Sequence, residues 1–310
     1  MNDFLRQLRT AHRRLAQTPA LAIGGVMCLA LGIGATTATW SAVSQALLRP
    51  LPVGDPDRLV AVHRITAESG PLGEKSQSPA NYADLARQSR QLESFAALTW
   101  GSAVLQLSGS PVSTGSVLVT GNFFETLRAH AALGRLLGRD DDGQGAPDVA
   151  VLSNEFWHRA FGGDPSIVGR SVVLNGQATQ IIGVLPAEFR VPDGSRIIQA
   201  DVWQPLRFTP DAAAVRDNYP LETFGRLAPH ATVRSAQSEL RGIWTNLTRA
   251  NPELRGSSVR VAPLQAENVA PLKAPLALML GAVALVLGIA VTNVSALLLA
   301  RGVQRRREVA

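Results

Sequence analysis

The sequence predicts a membrane protein of mixed fold class, with two spanning α-helices (membrane α-helical) and one large extracytoplasmic core domain of α/β (α+β) type. Two uncharged stretches lie near the ends of the chain, and arginines cluster outside each of them. The long segment between them alternates strand-like and helix-like patterns. We therefore expect both termini in the cytoplasm, the spans in the cell inner membrane and the central domain in the periplasm or outside the cell.

The two ends of the chain carry the net positive charge, whereas the middle is neutral. The 310 residues carry a net charge of +6. This excess comes from arginines at the two tips: Arg6, Arg9, Arg13, Arg14, Arg301, Arg305, Arg306 and Arg307. The remainder holds equal numbers of basic and acidic residues. A nucleic-acid-binding protein concentrates positive charge on a folded surface, so we expect no nucleic-acid partner. The pattern instead follows the positive-inside rule.

Residues 1–18 are predicted to be a basic cytoplasmic segment and residues 19–48 the first spanning helix. No charged residue lies between Arg14 and Arg49, a gap that exceeds the roughly 20 apolar residues a span needs. One helical face of the basic segment is apolar, formed by Phe4, Leu8, Ala11 and Leu15. This suits either an amphipathic helix on the inner leaflet or a plain basic flank. A cleaved signal peptide is the alternative for the span, and the length of the uncharged stretch favours a retained anchor.

Residues 274–300 are predicted to be the second spanning helix, followed by a basic cytoplasmic tail at 301–310. No charged residue lies between Lys273 and Arg301. A buried core helix is the alternative, but the length and the flanking arginines favour a span.

Small residues recur at every fourth position of both predicted spans. The stripes consist of Ala20, Gly24, Cys28, Gly32 and Thr36 in the first span, and Ala284, Gly288, Thr292 and Ala296 in the second. Such stripes let helices approach closely in lipid, so we predict them as helix-packing faces. The alternative is that small residues are simply common in spanning helices. Cys28 is the single cysteine, which leaves no disulfide or thiolate metal site within the chain.

Residues 49–273 are predicted to form the extracytoplasmic domain, and its first half contains two strand–helix pairs. A strand is predicted from Arg58 to Ile65. Ser78 is predicted to cap a helix that has Pro79 at its first position and runs to about Leu92. A second strand, Val117 to Thr120, leads into a helix at Phe123 to Leu127.

The second half of this domain carries clearer local signals. We predict a strand at Val149 to Leu152, a cap at Ser153, a helix from Glu155 to Phe161 that stops at Gly162-Gly163, and a hairpin at Ser171 to Val184 turning at Asn175-Gly176. Thr232 is predicted to cap a helix because Val233, Ala236, Leu240, Ile243 and Leu247 repeat at helical spacing. Asn251-Pro252 ends this helix, and Val259 to Val261 forms the last strand.

The sequence lacks the motifs that carry common chemistries. It contains no P-loop, no H-E-x-x-H, no C-x-x-C and no G-x-S-x-G. The five histidines have no metal-ligand spacing. Asp140-Asp141-Asp142 is typical of a solvated turn, with a divalent-cation site as the alternative. We therefore assign no catalytic, metal-binding or cofactor-binding residue and predict that the chain is not an enzyme.

Short runs along nearly the whole chain resemble the MacB/FtsX-type ABC transporter permeases, in particular the long acidobacterial-type members. The runs are Ala30-Leu31-Gly32-Ile33-Gly34-Ala35, Leu47-Leu48-Arg49-Pro50-Leu51-Pro52, Asp57-Arg58-Leu59-Val60, Phe161-Gly162-Gly163-Asp164-Pro165, Leu174-Asn175-Gly176, Ile182-Gly183-Val184-Leu185-Pro186, Leu297-Leu298-Leu299-Ala300-Arg301 and Arg305-Arg306-Arg307-Glu308-Val309-Ala310. Each run is weak alone, but their order and spacing are specific. One departure is Leu127-Arg128-Ala129-His130, where the family pattern reads Leu-Gly-Val.

This resemblance implies a permease with a MacB-like periplasmic core domain whose inserted lobe lies near residues 95–205. It implies that ATP binds to a partner subunit, so this chain carries no cofactor. The implied partners are an ABC ATPase subunit, a second copy in a homodimer or the remaining half of the permease, membrane lipid and a periplasmic partner protein. Arg301, Arg305, Arg306 and Arg307 would begin the truncated FtsX-like region that contacts the ATPase, or would only fix topology. Relatives carry further spans, so we expect this chain to be a fragment or a truncated product.

Three functions remain open from the sequence. The first is a permease that serves export or mechanotransmission, and it predicts further hydrophobic spans downstream. The second is a two-span sensor with an extracytoplasmic ligand-binding domain, and it predicts a linker of amphipathic helices after Arg301. The third is a membrane-anchored enzyme, which predicts a deep pocket with converging polar groups.

Overall fold

The computed structural model describes residues 53–70, 73–74, 76–107, 110–189 and 200–309, together with residues 30, 33–34, 36–37 and 41. The chain divides into two compact units. One consists of residues 50–268 and is called the core unit below; the other consists of residues 1–49 and 269–310. The core unit combines a ten-stranded sheet with helices, which confirms the predicted α/β class of this domain.

The strands are β1 (Leu59–Ile65), β2 (Leu92–Leu107), β3 (Ser110–Val119), β4 (Leu133–Gly134), β5 (Val149–Leu152), β6 (Ser171–Leu174), β7 (Gln177–Val184), β8 (Val202–Pro205), β9 (Glu222–Leu227) and β10 (Ser258–Pro263). The helices are α1 (Pro79–Gln88), α2 (Phe123–Leu127), α3 (Asn154–Phe161), α4 (Pro210–Ala214), α5 (Val233–Ala250) and α6 (Leu264–Val309). Single 3-10 turns lie at Pro56–Arg58, Pro165–Ile167 and Pro252–Leu254.

The long strand β2 connects the two ends of the sheet. The strand order is β10-β1-β9-β2-β3-β8-β5-β7-β4. The first half of β2, up to Leu98, pairs with β9, and the half from Leu98 to Leu107 pairs with β3. The β3–β8 and β5–β7 pairs are parallel, and the other pairs are antiparallel.

The short strand β6 closes part of this sheet into a ring. It pairs with β7 through the predicted hairpin and with the far end of β2. The strands β2, β3, β8, β5, β7 and β6 therefore form a small closed barrel. A separate cluster of buried side chains fills it, including Ala103, Leu105, Leu152, Leu174 and Ile181. The predicted lobe at 95–205 and the other domain bounds stay predictions.

Local sequence signals placed several element ends correctly. The hydroxyl groups of Ser78, Ser153 and Thr232 accept hydrogen bonds from the first turns of α1, α3 and α5, so all three predicted caps are confirmed. The hairpin turn at Asn175-Gly176 is also confirmed, with φ of 51° and 79° at its two residues.

The predicted end of α1 is wrong. The helix ends at Gln88, and Leu92 begins β2. The carboxylate of Glu239, on α5, accepts hydrogen bonds from the backbone N–H groups of Arg90 (3.0 Å) and Gln91 (2.8 Å). These bonds hold the segment in a non-helical path, and a tertiary contact thus overrides the local helical pattern.

The helix α6 contains the predicted second span and runs without a break from Leu264 to Val309. Within the described residues, we find no helix that meets the combined length and apolarity required to cross a membrane. Residues 1–18 and most of 19–48 lie outside the described part of the chain. The two spanning helices therefore stay predictions.

The edge strand β10 is covered by an amide side chain. Gln237, on α5, donates from Nε2 to the carbonyl of Val259 (2.9 Å) and accepts at Oε1 from the N–H of Val261 (2.7 Å). The side chain thus takes the place of a neighbouring strand at an exposed sheet edge.

We expect the substitution Gln237→Leu to lower the free energy of unfolding by about 1–2 kcal/mol, because two backbone groups of β10 lose their partners. Thermal unfolding and amide hydrogen exchange at Val261 would measure the effect. Ser238→Leu, at the exposed neighbouring position, serves as the control. Unchanged exchange at Val261 in the Gln237 variant would contradict this role.

Candidate functional site

The predicted helix-packing residues of the first span fall mostly outside the described residues. Ala20, Gly24, Cys28 and Gly32 lie there, whereas Thr36 is helical and exposed. Their packing role stays a prediction.

The predicted packing residues of the second span lie on α6 and are exposed: Ala284, Gly288, Thr292 and Ala296. A Cβ atom added at Gly288 would have nothing within 4 Å, and the hydroxyl of Thr292 donates to the carbonyl of Gly288 at 2.8 Å. An exposed stripe is available for packing against another helix, and this role stays a prediction.

The tail arginines Arg301, Arg305, Arg306 and Arg307 belong to the last turns of α6, and their side chains lie outside the described part.

The first turn of α6 is held to the sheet by an ion pair and a histidine contact. Glu267 accepts a hydrogen bond from Nη2 of Arg260 at 2.6 Å, and its other carboxylate oxygen lies 3.3 Å from Nε2 of His63. His63 on β1 and Arg260 on β10 are direct cross-strand partners. The side chains of His63 and Glu267 are 2% and 11% exposed, so water screens this contact little. Leu264 adds a buried apolar contact at the same turn.

A cleft of about 640 Å³ opens on the core unit beside α1. It is lined by Tyr82, Ala86, Ser89, Leu92, Glu93, Ser94, Phe95, Thr120, Asn122, Arg139, Asp142, Leu206 and Phe208. Its volume lies within the range typical of small-molecule sites. Aromatic and aliphatic side chains contribute the apolar part of this lining, and serine, threonine, asparagine and charged groups contribute the rest.

Three polar side chains of the cleft wall bond to one another or to the backbone. The carbonyl of Phe95 accepts from the hydroxyl of Tyr82 (3.0 Å) and from Nδ2 of Asn122 (2.8 Å). The hydroxyl of Thr120 donates to Oδ1 of Asn122 at 2.7 Å. The rings of Tyr82 and Phe95 stack at 5.3 Å. This network gives the cleft a rigid wall.

The acidic run Asp140-Asp141-Asp142 was predicted to be a solvated turn, but its central residue is buried. Asp141 is 5% exposed and forms a two-pronged ion pair with Arg135, at 2.6 and 2.9 Å. This guanidinium, with a backbone bond from Gly138, holds the pKa of the Asp141 carboxyl below its usual value. Asp142 accepts from the N–H of Gly121 at 2.6 Å. Among the described residues, no group of three or more potential ligands is placed to hold a metal ion.

Burial raises the pKa of the Tyr82 phenol to about 12, and the hydrogen bond with Thr120 opposes this rise. The raised value means that folding favours the neutral phenol. This contribution to stability is complete below about pH 10 and is lost as the pH rises through 12.

We expect the free energy of unfolding to fall by about 2–3 kcal/mol between pH 10 and 12 as Tyr82 ionises. Ultraviolet difference absorbance during an alkaline titration, with urea unfolding at each pH, would measure it. The Tyr82→Phe variant should lose this part of the pH dependence. An identical dependence in that variant would contradict the assignment.

The sequence departure at Arg128 has a structural explanation. Arg128 ends α2 in the left-handed conformation, with φ of 53°, where glycine is the favoured residue. Its guanidinium pairs with Asp55 and lies 3.9 Å from Glu93. These contacts offset the cost of a side chain at a positive φ.

Comparison with known proteins identifies the family. Residues 24–243 match the family described as the MacB-like periplasmic core domain. No curated protein matches the chain. A solved domain of a protein described as a permease, from Porphyromonas gingivalis, has 17% sequence identity and a TM-score of 0.50; the match covers 68% of this chain and 92% of that one.

Two further solved structures were found. The extracellular domain of the noncanonic ABC-type transporter YknZ from Gram-positive bacteria has 13% identity and a TM-score of 0.47, covering 65% of this chain and 98% of that one. The periplasmic region of MacB from Actinobacillus actinomycetemcomitans has 12% identity and a TM-score of 0.49, covering 71% and 94%. The likeness to the Porphyromonas gingivalis domain concerns the fold, and the family assignment rests on the sequence match. Because that match spans most of its residues, this chain belongs to the family of MacB-like periplasmic core domains.

Proposed function

We propose that this chain is a permease subunit of a MacB/FtsX-type ABC transporter, which passes ATP-driven movement from a cytoplasmic ATPase to its extracytoplasmic core domain. Membership of the family supports the transporter class. The structural observation that carries the proposed mechanism is the anchor at the base of α6, formed by Glu267, Arg260 and His63.

This anchor suits the transmission of force. A helix is stiff along its axis, and packed elements respond to a load by moving as bodies. Glu267 lies in the first turn of α6 and contacts the two neighbouring strands β1 and β10. A displacement of that turn is therefore applied to both strands, and slipping would require separating the Arg260–Glu267 ion pair, which is largely removed from water.

The remaining parts of the proposal follow the family resemblance. ATP binds to the partner ATPase, and the arginine tail beginning at Arg301 meets that subunit or fixes topology. The chain acts as a homodimer or with further permease segments. Both termini lie in the cytoplasm and the core unit lies outside the inner membrane.

The experiment requires the full chain, purified with its associated ABC ATPase and reconstituted in lipid nanodiscs. In a Cys28→Ser background, a spin label at Ser238→Cys reports distances between the core units of two copies. We expect the distance distribution to change between ADP and a non-hydrolysable ATP analogue. Glu267→Ala should suppress this change while the ATPase still copurifies. Glu253→Ala, which alters an exposed carboxylate elsewhere, is the matched control.

Two results would overturn the proposal. One is that no ABC ATPase associates with the full chain, and the other is that nucleotide leaves the core units unmoved in the wild-type complex. Orientation is tested separately with a reporter that is active only outside the cytoplasm. We expect signal when it is joined after Gly145 and none when it is joined after Ala310.

A further inference from the structure

The arginines of the core unit fall into two groups. Most pair with a carboxylate within 4 Å, namely Arg58, Arg64, Arg87, Arg128, Arg135, Arg139, Arg159, Arg207, Arg216 and Arg260. Within the part of the core unit that the structure describes, the exposed arginines without such a partner are Arg90, Arg170, Arg234, Arg241, Arg249 and Arg255. All of these except Arg170 lie on α5 or on segments packed against it. The exposed arginines without a carboxylate partner therefore lie mainly on and around α5.

Three of these side chains form a ridge along the outer face of α5. Arg234, Arg241 and Arg249 are separated by seven and eight residues, which keeps them on one side of the helix over roughly 22 Å. The opposite side is buried through Ala236, Leu240, Ile243, Trp244 and Leu247. We call the three arginines the α5 arginine ridge.

No carboxylate balances the ridge from its own helix. The single acidic residue of α5, Glu239, turns toward the α1–β2 connection, where it accepts hydrogen bonds from Ser89, Arg90 and Gln91. Arg90 is thereby fixed beside α5, and Arg255 follows the 3-10 turn at its end. Both lie on segments that contact α5.

We propose that the α5 arginine ridge is a docking surface for an acidic segment of a partner protein. Each guanidinium can bind a carboxylate through two parallel hydrogen bonds, and arginine is enriched in protein interfaces for this reason. Within the described residues, these arginines have no ion pair to break before a partner binds. A partner helix or strand with carboxylates about 10–12 Å apart would match the spacing of the ridge.

The composition of the ridge favours a protein over a lipid surface. A helix that lies on a membrane inserts large apolar side chains. The exposed positions between the arginines are Ser238, Gly242, Thr245 and Asn246, and none of them is apolar and large. The polar side chains supply hydrogen bonds to a partner but no lipid contact.

The test uses the full chain in nanodiscs of neutral phosphatidylcholine. The probe is a fluorescent helical peptide of about 20 residues with glutamates at alternating seven- and eight-residue spacing, followed by anisotropy. The ridge variant carries Arg234→Ser, Arg241→Ser and Arg249→Ser. A matched control removes the same charge elsewhere, through Arg139→Ser, Arg159→Ser and Arg170→Ser. Vesicles containing phosphatidylglycerol are assayed in parallel.

We expect the ridge variant to bind the peptide at least about 30-fold more weakly than the wild type, and the control to change binding by less than about threefold. Binding should weaken as salt is raised. Equal losses in both variants would mean general charge attraction and would overturn the proposal. So would binding of the wild type to the anionic vesicles but not to the peptide, or no peptide binding at all.

Discussion

Replacing Arg226 with methionine is expected to lower the free energy of unfolding of the core unit by about 3–5 kcal/mol. Arg226 lies on β9 and is 1% exposed. Methionine fills a similar volume but donates no hydrogen bond. The fall in the free energy of unfolding would therefore reflect the lost hydrogen bonds of the side chain, because the substitution leaves no large cavity.

Those contacts join β9 to two other segments, the end of α2 and the backbone at Gly54 and Asp55. The guanidinium donates to the carbonyls of Thr126 (2.8 Å), Asp55 (3.1 Å) and Gly54 (2.6 Å). The carbonyl of Thr126 lies in the last turn of α2, where backbone acceptors have no helical partner. Burial lowers the pKa of Arg226, and the nearby cations of Arg128 and Arg58 lower it further. The side chain nevertheless stays charged, because the pKa of arginine starts so high.

Thermal unfolding of the full chain in detergent would measure the effect, with an expected fall of about 10 °C in the midpoint. Arg226→Lys should recover only part of the loss, since one ammonium group cannot reach three carbonyls with the same geometry. Arg241→Met, at an exposed position, should change the midpoint little. A wild-type midpoint for Arg226→Met would show that water satisfies the three carbonyls.

The second large effect is expected at Phe123, where alanine should cost about 3–5 kcal/mol. Phe123 is fully buried in the central cluster. Its ring lies 5.1 Å from that of Phe124, 5.2 Å from Phe224 and 5.6 Å from Trp203. The side chain thus joins α2 to β9 and β8, and its removal would leave a cavity among rings that cannot collapse easily.

Urea unfolding followed by tryptophan fluorescence would measure this cost. Phe123→Leu should lose less, about 1–2 kcal/mol, because it keeps most of the volume. Phe208→Ala removes a half-buried ring at the cleft and should cost clearly less than Phe123→Ala. Equal costs at positions 123 and 208 would contradict the central role of the cluster.

Local patterns sufficed for the elements whose ends are determined by neighbouring residues. The caps at Ser78, Ser153 and Thr232 and the turn at Asn175-Gly176 depend on hydrogen bonds within a few residues, so they can be inferred from sequence. The same holds for α5, whose buried face repeats at helical spacing.

The long strand β2 and the strand β9 were not predicted. β2 mixes small, polar and apolar residues, and its two halves pair with different strands: β9 along the first half, and β3 and β6 along the second. One signal was available, since no charged residue lies between Glu93 and Glu125. Such a stretch outside the predicted spans indicates buried strands, and β2 and β3 occupy most of it.

The features on which the two proposals rest were even less accessible. His63 is far in sequence from Arg260 and Glu267, and it meets them only because β1 and β10 are neighbours. The α5 arginine ridge can be located from helical spacing, but its lack of ion pairs within the described part of the chain depends on where the carboxylates lie in the fold.

By itself, the sequence determined the family, the α/β class of the core unit and the helix caps and turns, because these depend on composition and on contacts between near neighbours in the chain. Only the tertiary structure decided the length of β2, the closure of the barrel by β6, the buried position of Arg226 and the anchor of α6. Each of these depends on residues distant in sequence being brought together, and the free energy that does so comes from burial summed over the whole core, which no local pattern encodes.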